Sequence, residues 1–132
     1  MRFILSAFFI FSVLLFAGCR KTSSDPARTP ISGSVVYDGE MLRAGIITFT
    51  SEDDPFRQTA CMIFSDGTFS VENVPKGKVL ISVDTATVSP ELGGSAEFYR
   101  EIPKKYADME TSGLSLDVPP GGLTEYVITL QK

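Results

Sequence analysis

The stretch Asp66–Asp84, DGTFSVENVPKGKVLISVD, decides the fold. Asp66-Gly67 supplies the positive φ that a tight turn demands, and Pro75-Lys76-Gly77 supplies the next reversal. Between them Phe69 and Val71 alternate with Ser70 and Glu72. After the reversal Val79, Ile81 and Val83 share one face while Leu80, Ser82 and Asp84 share the other. A period of two is the pattern of half-buried strands, so the stretch predicts a hairpin with one apolar face. A hairpin alone cannot bury that face. Strands from both sides of the sequence must join it, and an all-β fold follows.

Upstream, Ile31, Gly33, Val35 and Tyr37 alternate with Ser32, Ser34, Val36 and Asp38, and Asp38-Gly39 closes that run with a second turn signal. Gly45–Thr50, GIITFT, is rich in β-branched and aromatic residues, with Ile47 and Phe49 expected inside. Thr59–Phe64 predicts a third strand with Cys61 and Ile63 on one face and Ala60, Met62 and Phe64 on the other. Downstream, Leu114, Leu116 and Val118 alternate, Pro119–Gly122 predicts a turn, and Tyr126, Ile128 and Leu130 (or Val127 with its neighbours) make a last strand. With the central pair this gives seven strands, spaced as in a sandwich or barrel. Val88–Gly113 is irregular. A connection that long in a compact domain is functional or packs by itself, so it is the first place to seek a site.

The N-terminus is of another kind. Arg2 is the only charge before an apolar run from Phe3 to Ala17, the pattern of a signal peptide and too short for a spanning helix. Leu15-Phe16-Ala17-Gly18-Cys19 resembles the lipobox of bacterial lipoproteins, with Phe16 where Leu is common. The resemblance implies cleavage after Gly18, fatty acylation of Cys19 with palmitate-type chains, and a mature protein held on a membrane from the extracytoplasmic side. Residues 1–18 are then the signal peptide, 19–30 a lipidated tether that is polar and has two prolines, and 31–132 the folded domain. Loss of residues 1–18 takes Arg2 from twelve basic side chains and none of sixteen acidic ones, leaving 11 against 16, a net charge of −5. With no basic cluster there is no electrostatic footprint for nucleic acid or anionic lipid. The acyl chains must hold the protein in place.

ISGSVVYDGEMLRAGIITF (residues 31–49), followed by residues 66–83, resembles the carboxypeptidase regulatory-like domain. That family is a seven-stranded antiparallel β-sandwich of the transthyretin or prealbumin type. With the lipobox before it and EIPKKYADMETSGLSLDVPPGGLTEYVITL after it, the chain is similar to short planctomycetal lipoproteins carrying that domain. The matching positions are Gly33, Tyr37, Asp38, Gly39 and Gly45 in the first hairpin, Gly67, Phe69, Pro75 and Gly77 in the central one, and residues including Ile102, Pro103, Tyr106, Ser112 and Gly113 in the late loop. Met41 and Val79 depart from the family's pattern. The family implies no cofactor and no established activity.

The chain contains no histidine. That excludes histidine-based triads, Cys-His dyads and His-containing zinc sites, and with them the chemistry of the transthyretin-like hydroxyisourate hydrolases. Cys61 reads as a small strand residue rather than a nucleophile. Glu52, Asp53 and Asp54 lack the alternation and glycine of a calcium loop. Ser112 near Lys104 and Lys105 has no dyad spacing. Phe98, Tyr99 and Tyr106 are the candidate binding residues, able to stack on a sugar or peptide unless they pack the loop onto the sandwich. Two functions remain: a non-catalytic, membrane-tethered envelope module that binds other envelope proteins or is structural, and a small-ligand or glycan-binding lipoprotein using the 88–113 loop.

Overall fold

The computed structural model describes residues 28–132; the expected signal peptide, the expected acylation site Cys19 and most of the expected tether lie outside the described residues. Eight strands follow in order: β1 (Arg28–Tyr37), β2 (Glu40–Met41), β3 (Ile46–Ser51), β4 (Gln58–Met62), β5 (Thr68–Pro75), β6 (Gly77–Asp84), β7 (Leu114–Val118) and β8 (Leu123–Leu130). Among the described residues there is no α-helix, only short 3-10 turns between β6 and β7. None is long and apolar enough to cross a membrane.

Two four-stranded sheets form a β-sandwich. In the front sheet β1 is central, with β8 along one edge and β5 and β2 end to end along the other. The back sheet runs β4-β3-β6-β7. The alternation read from the sequence faces as expected: Val35, Phe69 and Val71 in front, and Ile47, Phe49, Val79, Ile81 and Val83 behind, are all buried. Phe49 and Phe69 meet across the layers with ring centroids 6.1 Å apart.

Three expectations are corrected. Residues 66–84 are not a hairpin, because β5 pairs with β1 while β6 pairs with β3 and β7. The single residue Lys76 carries the chain across the sandwich, and the two apolar faces meet each other across the core instead of lying side by side. The sandwich is not wholly antiparallel, since β1 and β8, the first and last strands, lie parallel. The strand count is eight, because Asp38-Gly39 folds Glu40–Met41 back onto Val36–Tyr37. Asp38 at φ 50° and Gly39 at φ 82° are the two positive dihedrals of the turn that best matches strand twist. Among the described residues, β1 is already paired ahead of Ile31: Arg28 pairs with Pro75 and Thr29 with Val74.

That early start was hidden by Pro30. Proline has no N–H for a ladder and is tolerated in a sheet at a bulge. The register with β5 slips between Thr29 and Ile31, beside Asn73 at φ 63°, and the register with β8 slips between Ile31 and Gly33, beside Glu125 at φ 57°. Both neighbours of the central strand thus bulge at the level of Pro30–Ser32.

The register also sorts the molecule into two ends. Arg28, the Pro75–Gly77 corner, the 52–57 loop and the 119–122 turn gather at one end, the base. The Asp38-Gly39 turn and the whole 85–113 connection gather at the other, the cap.

Candidate functional site

The long connection packs by itself. It opens with the Asp84 carboxylate accepting from Ala86 N at 2.9 Å, reverses at Gly93, and closes through Thr111 Oγ1 donating to Lys105 O at 2.7 Å. A single turn forms at residues 96–98, with Tyr99 N donating to Ser95 O at 3.0 Å. Two reciprocal contacts clamp it to the sandwich. Arg43 from the body lies over the Phe98 ring at 4.3 Å, and Arg100 from the loop lies over the Tyr37 ring at 5.0 Å while pairing with Glu40.

These contacts separate the three candidate aromatics. Tyr106 is only 4% exposed and belongs to the core. Its hydroxyl donates to Gln131 O at 3.1 Å and accepts from Gln131 N at 2.9 Å, which ties the loop to the end of the chain. It is not an open binding residue. Phe98 is half-buried under Arg43. Tyr99 alone lines a concavity, of about 360 Å³, together with Asp84, Glu101, Ile102 and Lys104. Its mixed charges and one aromatic wall fit a small polar ligand, at the lower end of the usual size range for such sites.

The other candidates are structural. Ser112 is buried, donates its hydroxyl proton to Ile81 O and accepts from Leu114 N at 3.2 Å, so it pins the end of the loop to β6. Burial pushes the Cys61 thiol up to about 11, which keeps it protonated and unreactive near neutral pH. Glu52 pairs with Lys78 at 3.3 Å and Asp54 caps Phe56 N at 3.0 Å, and among the described residues no group of acids, Cys or His is placed to hold a metal. Of the turn residues, Gly67 takes φ 84° and Gly77 φ 86°, Pro75 is buried at the corner, and Asp66 accepts from Thr68 N at 3.0 Å and Thr68 Oγ1 at 2.6 Å.

A larger concavity, about 480 Å³, escaped the sequence reading. It lies on the outer face of the front sheet, where Ser32, Ser34, Thr68 and Ser70 surround a floor flanked by Phe64, Glu125 and Val127. The signal available was a face of small hydroxyl side chains between bulky neighbours. What no pattern carried was the bulge that places Glu125 beside them.

No family model matches the chain, and no curated protein matches it. Among solved structures it is similar to a DUF3823 family protein from Parabacteroides merdae ATCC 43184, at 13% identity and a TM-score of 0.49, over 77% of this chain and 45% of that one. The chain thus spans less than half the length of that neighbour.

Proposed function

We propose that the protein is a non-catalytic lipoprotein of the cell envelope, a β-sandwich of the carboxypeptidase regulatory-like, transthyretin type tethered through Cys19, which binds other envelope proteins or serves a structural role. The observation that carries this reading is the state of Tyr106. With its ring in the core and its hydroxyl paired to both backbone groups of Gln131, the long loop is a fixed cap. A capped sandwich presents strand faces and loop tips to partners rather than a deep cleft. Ser112 and Cys61, the side chains nearest to nucleophiles, are respectively tied to backbone and held as thiol. The seven longer strands with the two-residue β2 fit the transthyretin type, and the lipobox at residues 15–19 supplies the anchor.

The test is fractionation of cells expressing the wild-type chain and Cys19→Ser. The wild type is expected in the membrane fraction with acyl mass on its first mature residue, and the variant in the soluble envelope fraction. A variant that stays on the membrane, or a mature chain without acyl mass, overturns the tether. A second reading, a glycan or small-ligand lipoprotein, is favoured by Tyr99 on the wall of its concavity. Retention of a glycan by the wild type and its loss in Tyr99→Ala would select it.

A further inference from the structure

Among the described residues, the most exposed aromatic side chain stands on a hydrogen-bonded loop tip. Phe56 is 96% exposed. The 52–57 connection that carries it is held by four hydrogen bonds: Ser51 N donates to Arg57 O at 2.9 Å, Glu52 N to Lys78 O at 3.0 Å, Arg57 N to Asp54 O at 3.0 Å, and Phe56 N to the Asp54 carboxylate at 3.0 Å. The turn therefore presents the ring to solvent and gives it no route back to the core. A single exposed apolar side chain is ordinary on a protein surface, so the case for Phe56 rests on where the ring stands.

What it contacts follows from which end it occupies. Ser51 pairs with Val79 and Arg28 with Pro75, so Phe56 projects from the base, the end at which the chain arrives from Cys19. Nine residue steps separate Cys19 from Arg28, which reach at most about 30 Å when fully extended. Along the eight-residue β6 the sandwich itself is roughly 26 Å long. To bring the cap to the bilayer the tether would have to run straight along the whole domain, so the base is the end that faces the lipid. Arg57, Lys76 and Lys78 at the base are matched by Glu52, Asp53 and Asp54, and Asp117 lies on the rung beside Lys78, so the end carries no excess of positive charge and suits a zwitterionic surface rather than an anionic one.

We propose that Phe56 is a membrane contact: the 52–57 tip inserts its ring into the interfacial layer of the bilayer that carries the acyl anchor, seats the base on the lipid, and holds the cap outward. The inference rests on acylation of Cys19. Two signals acting together, acyl chains and an interfacial aromatic, restrain orientation where chains alone restrain only distance.

Because the chain has no tryptophan, Phe56→Trp introduces a single reporter at a position where the larger ring meets no packing. The acylated protein, purified from membranes and verified by mass, is reconstituted into phosphatidylcholine vesicles beside Leu92→Trp, which reports on the exposed cap loop. Emission from position 56 is expected to shift to the blue on reconstitution and to be quenched by brominated acyl chains, with position 92 unchanged. An acylated protein whose position 56 stays water-exposed overturns the inference and leaves the tether standing. So does a shift that needs whole envelope membranes and is absent from pure lipid, which would assign the tip to a protein partner. A mature chain with no acyl mass overturns both.

Discussion

Two glycines separate two reasons for needing no side chain. At Gly33, in the central strand beside the bulge, an added Cβ would stand 1.7 Å from Tyr126 O, so β8 could not keep its place. Gly33→Ala is expected to destabilise the domain by about 3 kcal/mol or more in denaturant melts, at the upper end of what overpacking does. At Gly77 a Cβ meets nothing within 4 Å, but φ is 86°, so Gly77→Val is opposed by backbone strain alone and should cost about 1–2 kcal/mol. A melt that ranks the two the other way would mean that β8 moves freely. The acid limb has a named contributor in Asp66, whose carboxyl lies below the usual range, chiefly because the Thr68 hydroxyl and then the Thr68 N–H donate to it. A depressed folded pKa gives stability that is present above the unfolded value, about 3.9, and is lost as pH falls through the folded one. The drop in melting temperature between neutral pH and about pH 3 should therefore be smaller in Asp66→Asn than in the wild type. An equal drop would remove Asp66 from the account.

Elements show where the sequence stops being informative. Period-two patterning found the long strands and the buried face of β3, β5 and β6, while leaving the inward face of β4 and β8 open, because that period reports which side chains leave water. It did not report neighbours. The runs on either side of Lys76 look the same whether they pair in one sheet or face each other across two, and the choice is made by the partners β1, β3 and β7, far away in the chain. The two bulges are invisible for a related reason: they answer to Pro30 and to the approach of Tyr126 at Gly33, which are contacts and not patterns. The candidate site was legible as a loop, while the burial of Tyr106 was not, since an aromatic in an irregular segment reads equally as binder or anchor. Its anchoring role can be measured. Tyr106→Phe keeps the ring but strips both hydrogen bonds from Gln131, and should cost about 1–2 kcal/mol. Arg100→Ala removes an exposed ion pair and a ring contact, and should cost less than about 1 kcal/mol while raising amide exchange in residues 95–101. If Tyr106→Phe is neutral, the cap is held by something other than the loop-to-terminus tie.

For the molecule as a whole, the consequence of the register is polarity: chain entry, the Lys76 corner and the Phe56 tip at one end, the clamped loop with its concavity at the other. That arrangement depends on β1 starting where the front sheet starts. Arg28 and Thr29 form the first rungs against Pro75 and Val74, Thr29 is buried, and the Pro30 carbonyl lies so close to Gly122 that a Cβ there would be 2.1 Å away. These three residues therefore brace the base from both sides, and they are structural even though their composition is that of a linker. Two versions of the domain, one of residues 28–132 and one of residues 31–132, measure this directly. The longer one should melt cooperatively, and the shorter one should lose about 1–2 kcal/mol, a fall in melting temperature of roughly 5–10 °C for a domain of this size. Equal melting temperatures would place the boundary at residue 31, make Arg28–Pro30 part of the tether, and free the base to turn independently of the chain that enters it.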